Sequence, residues 1–261
     1  MFLKTVVAIA LLGSVALIPA TAAVNTSSNP VSDVPAVESD AILAATTPTS
    51  ATPAHGLTAA AIPACTGTAG YALNPWRLTS TYKWYYNPTG APASIAATAL
   101  TSMQTATKSA FTGKNQCGTT TALTNTDLYS GTTTKAAQVS ATGTCTGSDG
   151  TSVTSWGNLP ANTLAYTCTY YKKSTGAVVE SDMLIDNKVH TWFTTMPKGC
   201  TNAFDLESVV VHERLHTAGL AHVDATTYPG QVMNPKSLAC NTTKRTLGSG
   251  DLAGMTALSH R

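Results

Sequence analysis

The chain has 261 residues, only 11% of them charged, and a formal net charge of +2. It has no basic run and no alternation of aromatic and basic residues, so the charge pattern gives no electrostatic case for a nucleic-acid partner. Threonine, serine, alanine and glycine dominate, which suits an extracellular protein.

The first residues predict a secretory signal peptide. A short charged start, MFLK, precedes the apolar run TVVAIALLGSVALI and the small-residue exit PATAA, as in cleaved export signals. We place the signal at residues 1–23, with cleavage near Ala22 or Ala23; the alternative is an uncleaved anchor helix. The apolar run is short for a membrane span and no second one follows, so we expect no membrane contact after cleavage.

Residues 24–62 are rich in alanine, threonine, serine and proline. Such a stretch cannot bury enough apolar surface to offset its ordering entropy, so we predict a disordered leader or short pro-segment. Whether it is cleaved, inhibitory or a tether stays open. From about Cys65 aromatic residues and periodic patterns begin, which predicts one domain over residues 63–261.

Periodic patterns within this domain predict strands with interspersed helices. We expect strands at 80–87, 164–171 and 178–186, and helices at 94–111, 205–218 and shortly after Ser249. Asp205 is a suitable N-cap for the second helix, and Gly219 should end it. Without βαβ regularity, this order predicts a mixed α/β or α+β domain, and we assign it to the α+β class.

Six cysteines follow the signal, and their even number in an exported chain predicts three disulfides. Sequence alone allows fifteen pairings. Proximity along the chain favours Cys145 with Cys168, Cys200 with Cys240, and hence Cys65 with Cys117. The cysteines form no CxxC pair, so we do not expect a thiolate zinc site.

The residues with the clearest chemistry lie in the helix predicted at 205–218. His212 and His216 are four residues apart, so their imidazoles project from one face of the helix and can reach one metal ion. Glu213 can lie beside that ion and accept a proton from a water molecule that the metal activates. This pattern predicts a zinc-dependent hydrolase.

The motif extends beyond the helix to a third histidine. A helix cannot place His222 over the same metal, but Gly219 allows the chain to turn sharply so that His222 becomes the third ligand. Three protein ligands leave a position open for catalysis. The alternatives are solvated helix histidines, a purely structural zinc site, or an inactive relative that keeps the ligands; Glu213 argues against the last.

The run His212-Glu-Arg-Leu-His216-Thr-Ala-Gly219-Leu-Ala-His222 resembles the long motif of the metzincin zinc peptidases, especially matrixins. Gln231-Val-Met233-Asn-Pro235 resembles their Met-turn. The resemblance implies a twisted mixed sheet with a backing helix, an active-site helix and a short C-terminal helix. It also implies one catalytic Zn²⁺ held by the three histidines, Glu213 as general base, and Met233 as an apolar floor. Ser181–Asp186 resembles the strand above a matrixin cleft.

Three features bear on this resemblance. Leu215 stands where matrixins usually carry glycine, so a local adjustment is expected. Too few histidines remain for a second zinc built from several of them, whereas Ca²⁺ held by carboxylates and carbonyls is possible without a motif to support it. Matrixin latency often uses a pro-segment cysteine on the zinc; parity favours a disulfide for Cys65 instead.

We therefore predict a secreted, monomeric zinc-dependent endopeptidase that acts on a protein or peptide substrate. The alternative is a non-catalytic secreted binding protein on the same scaffold. A zinc hydrolase acting on non-peptide bonds is a third possibility. Asn241 begins an Asn-Thr-Thr sequence that is a glycosylation acceptor only in a eukaryotic source.

Overall fold

The structure is a computed structural model that describes residues 36–45, 63–65 and 70–261. The described residues contain three α-helices, α1 (Ala99–Phe111), α2 (Leu206–Ala218) and α3 (Ser249–Ser259). Their strands are β1 (Ala36–Ala45), β2 (Ala72–Leu73), β3 (Tyr82–Tyr86), β4 (Asp127–Thr132), β5 (Val153–Gly157), β6 (Thr163–Tyr171), β7 (Val178–Asp186), β8 (Thr191–Phe193), β9 (Ala203–Asp205), β10 (Leu220–Ala221) and β11 (Lys236–Leu238). Single 3₁₀ turns lie at Pro63–Cys65 and Thr243–Arg245.

A mixed sheet is the main feature of the fold. Seven of the described strands form it, in the order β11-β1-β6-β7-β5-β3-β4. The strands β7, β5, β3 and β4 run parallel to one another. Strand β6 is antiparallel to both β7 and β1, and β1 is parallel to β11. Small pairs, β2 with β10 and β8 with β9, lie outside this sheet. The arrangement is compatible with the predicted α+β class.

The predicted elements of the domain are found with small shifts. The strands expected at 80–87, 164–171 and 178–186 are β3, β6 and β7, and the helix after Ser249 is α3. The helix expected at 94–111 begins only at Ala99, because Pro92 precedes a turn in which Ile95 N–H donates to the Pro92 carbonyl at 3.0 Å. Apolar residues along one side of α1 are buried, and Met103 and Ala106 are fully enclosed.

Helices α1 and α2 pack against each other and contribute with the sheet to one main core. Leu215 lies fully buried in this core. The side chain that replaces the usual glycine of the motif is thus accommodated as a core residue within an unbroken helix.

Strand β1 corrects one prediction. Residues 24–62 were expected to be a disordered leader or short pro-segment, but Ala36–Ala45 form a strand inside the sheet. The prediction of disorder is wrong for this segment because β6 pairs with it from Ala36 to Leu43 and β11 pairs with it from Leu43 to Ala45, so its main chain gains hydrogen bonds despite a composition that favours disorder. The signal at 1–23 and the rest of the leader lie outside the described residues.

All six cysteines are paired, and the pairs are those that chain proximity favoured. The disulfides are Cys65–Cys117, Cys145–Cys168 and Cys200–Cys240. Three disulfides suggest an extracellular or secreted protein. Within the part of the chain that the structure describes, we find no helix with the length and apolar character needed to cross a membrane.

Candidate metal centre

Helix α2 carries the first two histidines, and its start is fixed by a buried cap. The Asp205 carboxylate accepts hydrogen bonds from the N–H of Ser208 at 3.0 Å and from its hydroxyl at 2.6 Å. The guanidinium of Arg245 pairs with the same carboxylate at 2.6 Å. The predicted N-cap is therefore found, and a cation balances the charge that would otherwise be buried alone.

Gly219 ends α2 as predicted and redirects the chain toward His222. Its φ of 120° lies in a region that L side chains rarely adopt, and its N–H donates to the carbonyls of Leu215 and His216. A Cβ at this position would lie 2.4 Å from the carbonyl oxygen of Trp76. The close approach requires glycine for steric as well as conformational reasons.

The three histidines predicted as ligands converge on one point. The Nε2 atoms of His212 and His216 are 3.0 Å apart, and each lies 3.1 Å from Nε2 of His222. The Nδ1 atoms point the other way: that of His212 lies 2.7 Å from the carbonyl oxygen of Val232, and that of His216 lies 2.9 Å from that of Leu220. A carbonyl accepts only, so both Nδ1 atoms carry the proton and both Nε2 atoms present a lone pair.

This arrangement fits a metal ion. Lone pairs from neutral imidazoles at such short separations repel one another unless a cation lies between them, and nitrogens spaced in this way leave room for an ion about 2.0–2.1 Å from each. Among the described residues this is the single group of three or more potential ligands held closely together. The calcium site considered from sequence stays a prediction.

The electrostatics of the group favour neutral imidazoles. Burial, followed by the neighbouring His216 and His222, holds the pKa of His212 well below its usual range, although its bond to Val232 opposes the shift. Burial also lowers the pKa of His216 to about 4. Both side chains are thus unprotonated at neutral pH, which is the state that binds metal.

Glu213, the predicted general base, lies fully buried next to His212 on α2. Its carboxylate accepts a short hydrogen bond from the hydroxyl of Thr167 in β6. A hydroxyl that donates to a carboxylate fixes its orientation. Sequence reasoning did not single out Thr167, because no local pattern links a strand residue to a helix 46 positions later.

The segment that resembles a Met-turn passes beside the histidines. Met233 is buried in the main core, and its carbonyl accepts the N–H of Val223, which adjoins His222. The neighbouring Val232 carbonyl is the partner of His212. Met233 is thus buried and tied by its backbone to the residue that follows His222, and its role as an apolar floor stays a prediction.

The strand that was expected to run above the cleft has a different position in the sheet. Ser181–Asp186 was expected there, but it belongs to β7, which lies inside the sheet between β5 and β6. It is β6 that contacts Glu213, and β1 covers the outer edge of β6. The expectation was wrong because a resemblance between short sequence segments identifies a strand without giving its order in the sheet.

The sequence analysis predicted no role for Arg214, although this residue lies inside the motif. It is two positions after His212, about 200° around the helix, and so points away from the metal face. Its guanidinium donates to the hydroxyls of Tyr82 and Thr154 at 2.7 and 2.8 Å. Its position on the helix, opposite the histidines, could have predicted that Arg214 points into the core.

No family model and no curated protein matches this chain. The resemblance to metzincins therefore rests on the motif residues of the sequence and stays a prediction, whereas the structure shows that the three histidines could hold a metal ion.

Proposed function

We propose that this protein is a secreted zinc-dependent endopeptidase of the metzincin type, similar to matrixins. The observation that carries the proposal is the convergence of three histidine Nε2 atoms beside a buried glutamate that follows the first of them on α2. Three nitrogen ligands from protein leave an open coordination position, whereas structural zinc sites are usually closed by a fourth protein ligand.

The residues divide the work between binding and proton transfer. A zinc ion bound to His212, His216 and His222 would polarise the scissile carbonyl and acidify a water molecule. Glu213 accepts the proton of the attacking water and then delivers it to the leaving amine. The Thr167 hydroxyl donates to the carboxylate of Glu213 and so restricts its orientation during both transfers.

The test combines metal analysis with turnover. Purified protein should contain about one zinc per chain and should cleave casein, and a chelator should abolish this activity. Glu213→Gln should keep the zinc and lose hydrolysis, because Glu213 is assigned as base and not as ligand. Glu207→Gln, on the same helix and paired with Arg245, is the matched control and should keep both.

Two results would contradict the proposal in different ways. Loss of zinc from Glu213→Gln would mean that the ligand assignment is wrong. Full zinc content without cleavage of casein or gelatin in the wild type would favour a non-catalytic binding protein on the same scaffold.

A further inference from the structure

A cavity of about 490 Å³ lies beside the candidate metal centre, and its size is within the range of ligand-binding pockets. Ser208 lines it from α2, four residues and therefore about one helical turn before His212. Asn234 lines it two residues after Val232, whose carbonyl is the partner of His212. Thr226 lines it from the segment that follows the third histidine. The cavity is thus bordered by the chain segments that position the three histidines.

The charged residues that line this cavity are all basic. They are Lys236 and Lys244, and no aspartate or glutamate is found among the described residues of its lining. The two lysines differ in environment, because Lys236 is exposed whereas only 9% of the surface of Lys244 is exposed. Water screens an exposed ammonium, whereas a buried one interacts more strongly with a nearby charge. Lys244 therefore dominates the electrostatics of the cavity.

The ammonium of Lys244 has neutral partners only. Its Nζ donates to the carbonyl of Lys236 at 2.6 Å and to that of Asn234 at 3.2 Å. An ammonium has three N–H donors, so these two bonds leave one donor for a ligand in the cavity. Among the described residues, the ion pairs do not include Lys244. Buried charges are normally paired, and this one lacks an anion.

The nearest acidic influence on Lys244 comes from Asp251, whose charge favours the ammonium form. The Asp251 carboxylate already accepts three N–H groups, those of Val232, Met233 and Gly248. Its hydrogen-bonding capacity is thus directed to the backbone, and the position of a direct counter-ion for Lys244 is left to a ligand.

Most of the remaining lining is small or apolar. These residues are Ala45, Ala64, Ala225, Pro229, Gly230 and Leu238. A ligand group that suits both parts of the lining has a short aliphatic stem and a negatively charged end. Glutamate and aspartate side chains have this form, and an ammonium binds a carboxylate through a charge-assisted hydrogen bond.

We propose that this cavity binds an acidic side chain of the substrate close to the scissile bond and that Lys244 selects this side chain. The inference rests on the proposed peptidase function and gives its substrate class. The carboxylate accepts the remaining N–H donor of Lys244, and the stem packs against the small and apolar lining. Lys244 takes no part in the proton transfers assigned to Glu213, so it determines specificity and is not a catalytic residue.

The test compares two peptides of nearly identical shape, derived from a sequence that the protein cleaves in casein. One carries glutamate and the other glutamine at a single position, and both ends are blocked so that neither chain end is charged. The pair is repeated at successive positions on both sides of the cleaved bond. At one position, the wild type should cleave the glutamate peptide with a kcat/KM about tenfold or more above that of the glutamine peptide.

Two lysine variants locate the origin of this preference. Lys244→Met keeps most of the side-chain length and removes the charge, so it should abolish the preference for glutamate while it retains cleavage of the glutamine peptide. Lys236→Met is the matched control, because it removes an exposed charge from the same lining and should leave most of the preference. The opposite result, with preference lost in Lys236→Met and kept in Lys244→Met, would overturn the role of Lys244.

The pH dependence of the wild type gives a second readout that does not depend on the folding of a variant. Burial lowers the pKa of Lys244 to about 8, and the charge of Asp251 opposes this shift. The ammonium is therefore mostly protonated at neutral pH and loses its proton as the pH rises through about 8. The glutamate-to-glutamine ratio of kcat/KM, which reports the free enzyme, should fall from about pH 7 to about pH 9.

Other titrating groups do not obscure this ratio. His212 faces Lys244 from α2 and stays neutral over this range, and Asp205 and Glu207 at the start of α2 pair with Arg245. Groups that take part in hydrolysis act on both peptides alike and cancel in the ratio. A ratio that exceeds one but stays constant over this pH range would overturn the assignment to Lys244.

The outcomes separate this inference from the proposed function. Equal cleavage of glutamate and glutamine peptides at every position would overturn the inference and leave the peptidase standing. A parallel series with a free C-terminus tests the chain end as the source of the carboxylate, and a preference for that series alone would also overturn the acidic side chain. Absence of all hydrolysis with zinc bound would overturn the peptidase and with it the substrate class.

Discussion

The Asp251 carboxylate accepts the N–H of Val232 at 2.7 Å, and the carbonyl of the same Val232 is the partner of His212 Nδ1, also at 2.7 Å. One peptide segment thus joins the first turn of α3 to a candidate metal ligand. Asp251 also accepts the N–H groups of Met233 and Gly248, so a single buried carboxylate fixes the path of the backbone beneath the site.

We expect Asp251→Ala to lower the free energy of unfolding and to have a smaller effect on the free energy of metal binding. The change leaves three buried N–H groups without their acceptor, at a cost of about 3 kcal/mol or more in unfolding free energy. Urea unfolding of the zinc-bound protein measures this loss. Asp251→Asn, which keeps one acceptor oxygen, should lose less, and equal stability of Asp251→Ala and wild type would contradict the role assigned to Asp251.

We expect His222→Ala to reduce zinc affinity by orders of magnitude and to remove activity. The variant deletes one of three converging nitrogens, and two ligands hold zinc far more weakly than three. Titration against a competing chelator gives the affinity directly. The control is Asp224→Ala, because this nearby carboxylate accepts the N–H groups of Thr226 and Thr227 and caps a turn. Full zinc and activity in His222→Ala would end the metzincin assignment.

We expect replacement of Arg214 to reduce the stability of the fold without loss of bound metal. Its guanidinium lies fully buried, donates to hydroxyls from α1, β3 and β5, and stacks 4.6 Å from the ring centre of Trp84. Arg214→Ala should lower the unfolding free energy by about 3–5 kcal/mol, through lost packing and lost hydrogen bonds.

A lysine at this position should not restore the lost stability. A single ammonium cannot serve three acceptors arranged around a planar fork, so we expect Arg214→Lys to remain well below wild type in chemical unfolding. Zinc content measured at low temperature should be normal in both variants. Wild-type stability in Arg214→Lys would show that charge alone matters there.

The metal-free protein should lose stability as the pH falls from about 6.5 to about 4. Unfolded histidine takes up a proton near its usual pKa of 6.5, whereas buried His216 stays neutral down to about 4. Proton uptake therefore favours the unfolded state between these two pKa values. The contribution of His216 to the free energy of unfolding is complete only above this pH range. Thermal midpoints of chelator-treated protein measure the slope, and His216→Asn should flatten it. Identical slopes in the two proteins would contradict the assignment.

Much of the candidate site could be predicted because its ligands are local in sequence. His212, His216 and His222 lie within eleven consecutive residues, and helical periodicity with one glycine turn is enough to bring them together. The disulfides followed from proximity along the chain for a similar reason.

The position of β1 could not be predicted, because it depends on partners far away in sequence. Strand β6 and strand β11 each lie more than 100 residues beyond it, and hydrogen bonds to them outweigh a composition that favours disorder. The hydrogen bond between Thr167 and Glu213 could not be predicted for the same reason. Sequence patterns give the faces of helices and strands, whereas sheet order arises from tertiary pairing.

The Cys200–Cys240 disulfide encloses α2, all three histidines and Met233 in one covalent ring. Closing a loop of this length narrows the unfolded ensemble and stabilises the fold by about 2–4 kcal/mol. Because metal affinity includes the free energy of folding, reduction of this bond should also weaken metal retention. Oxidation before metal uptake then becomes the favoured order, and a chain with this bond still reduced would hold a metal ion less tightly.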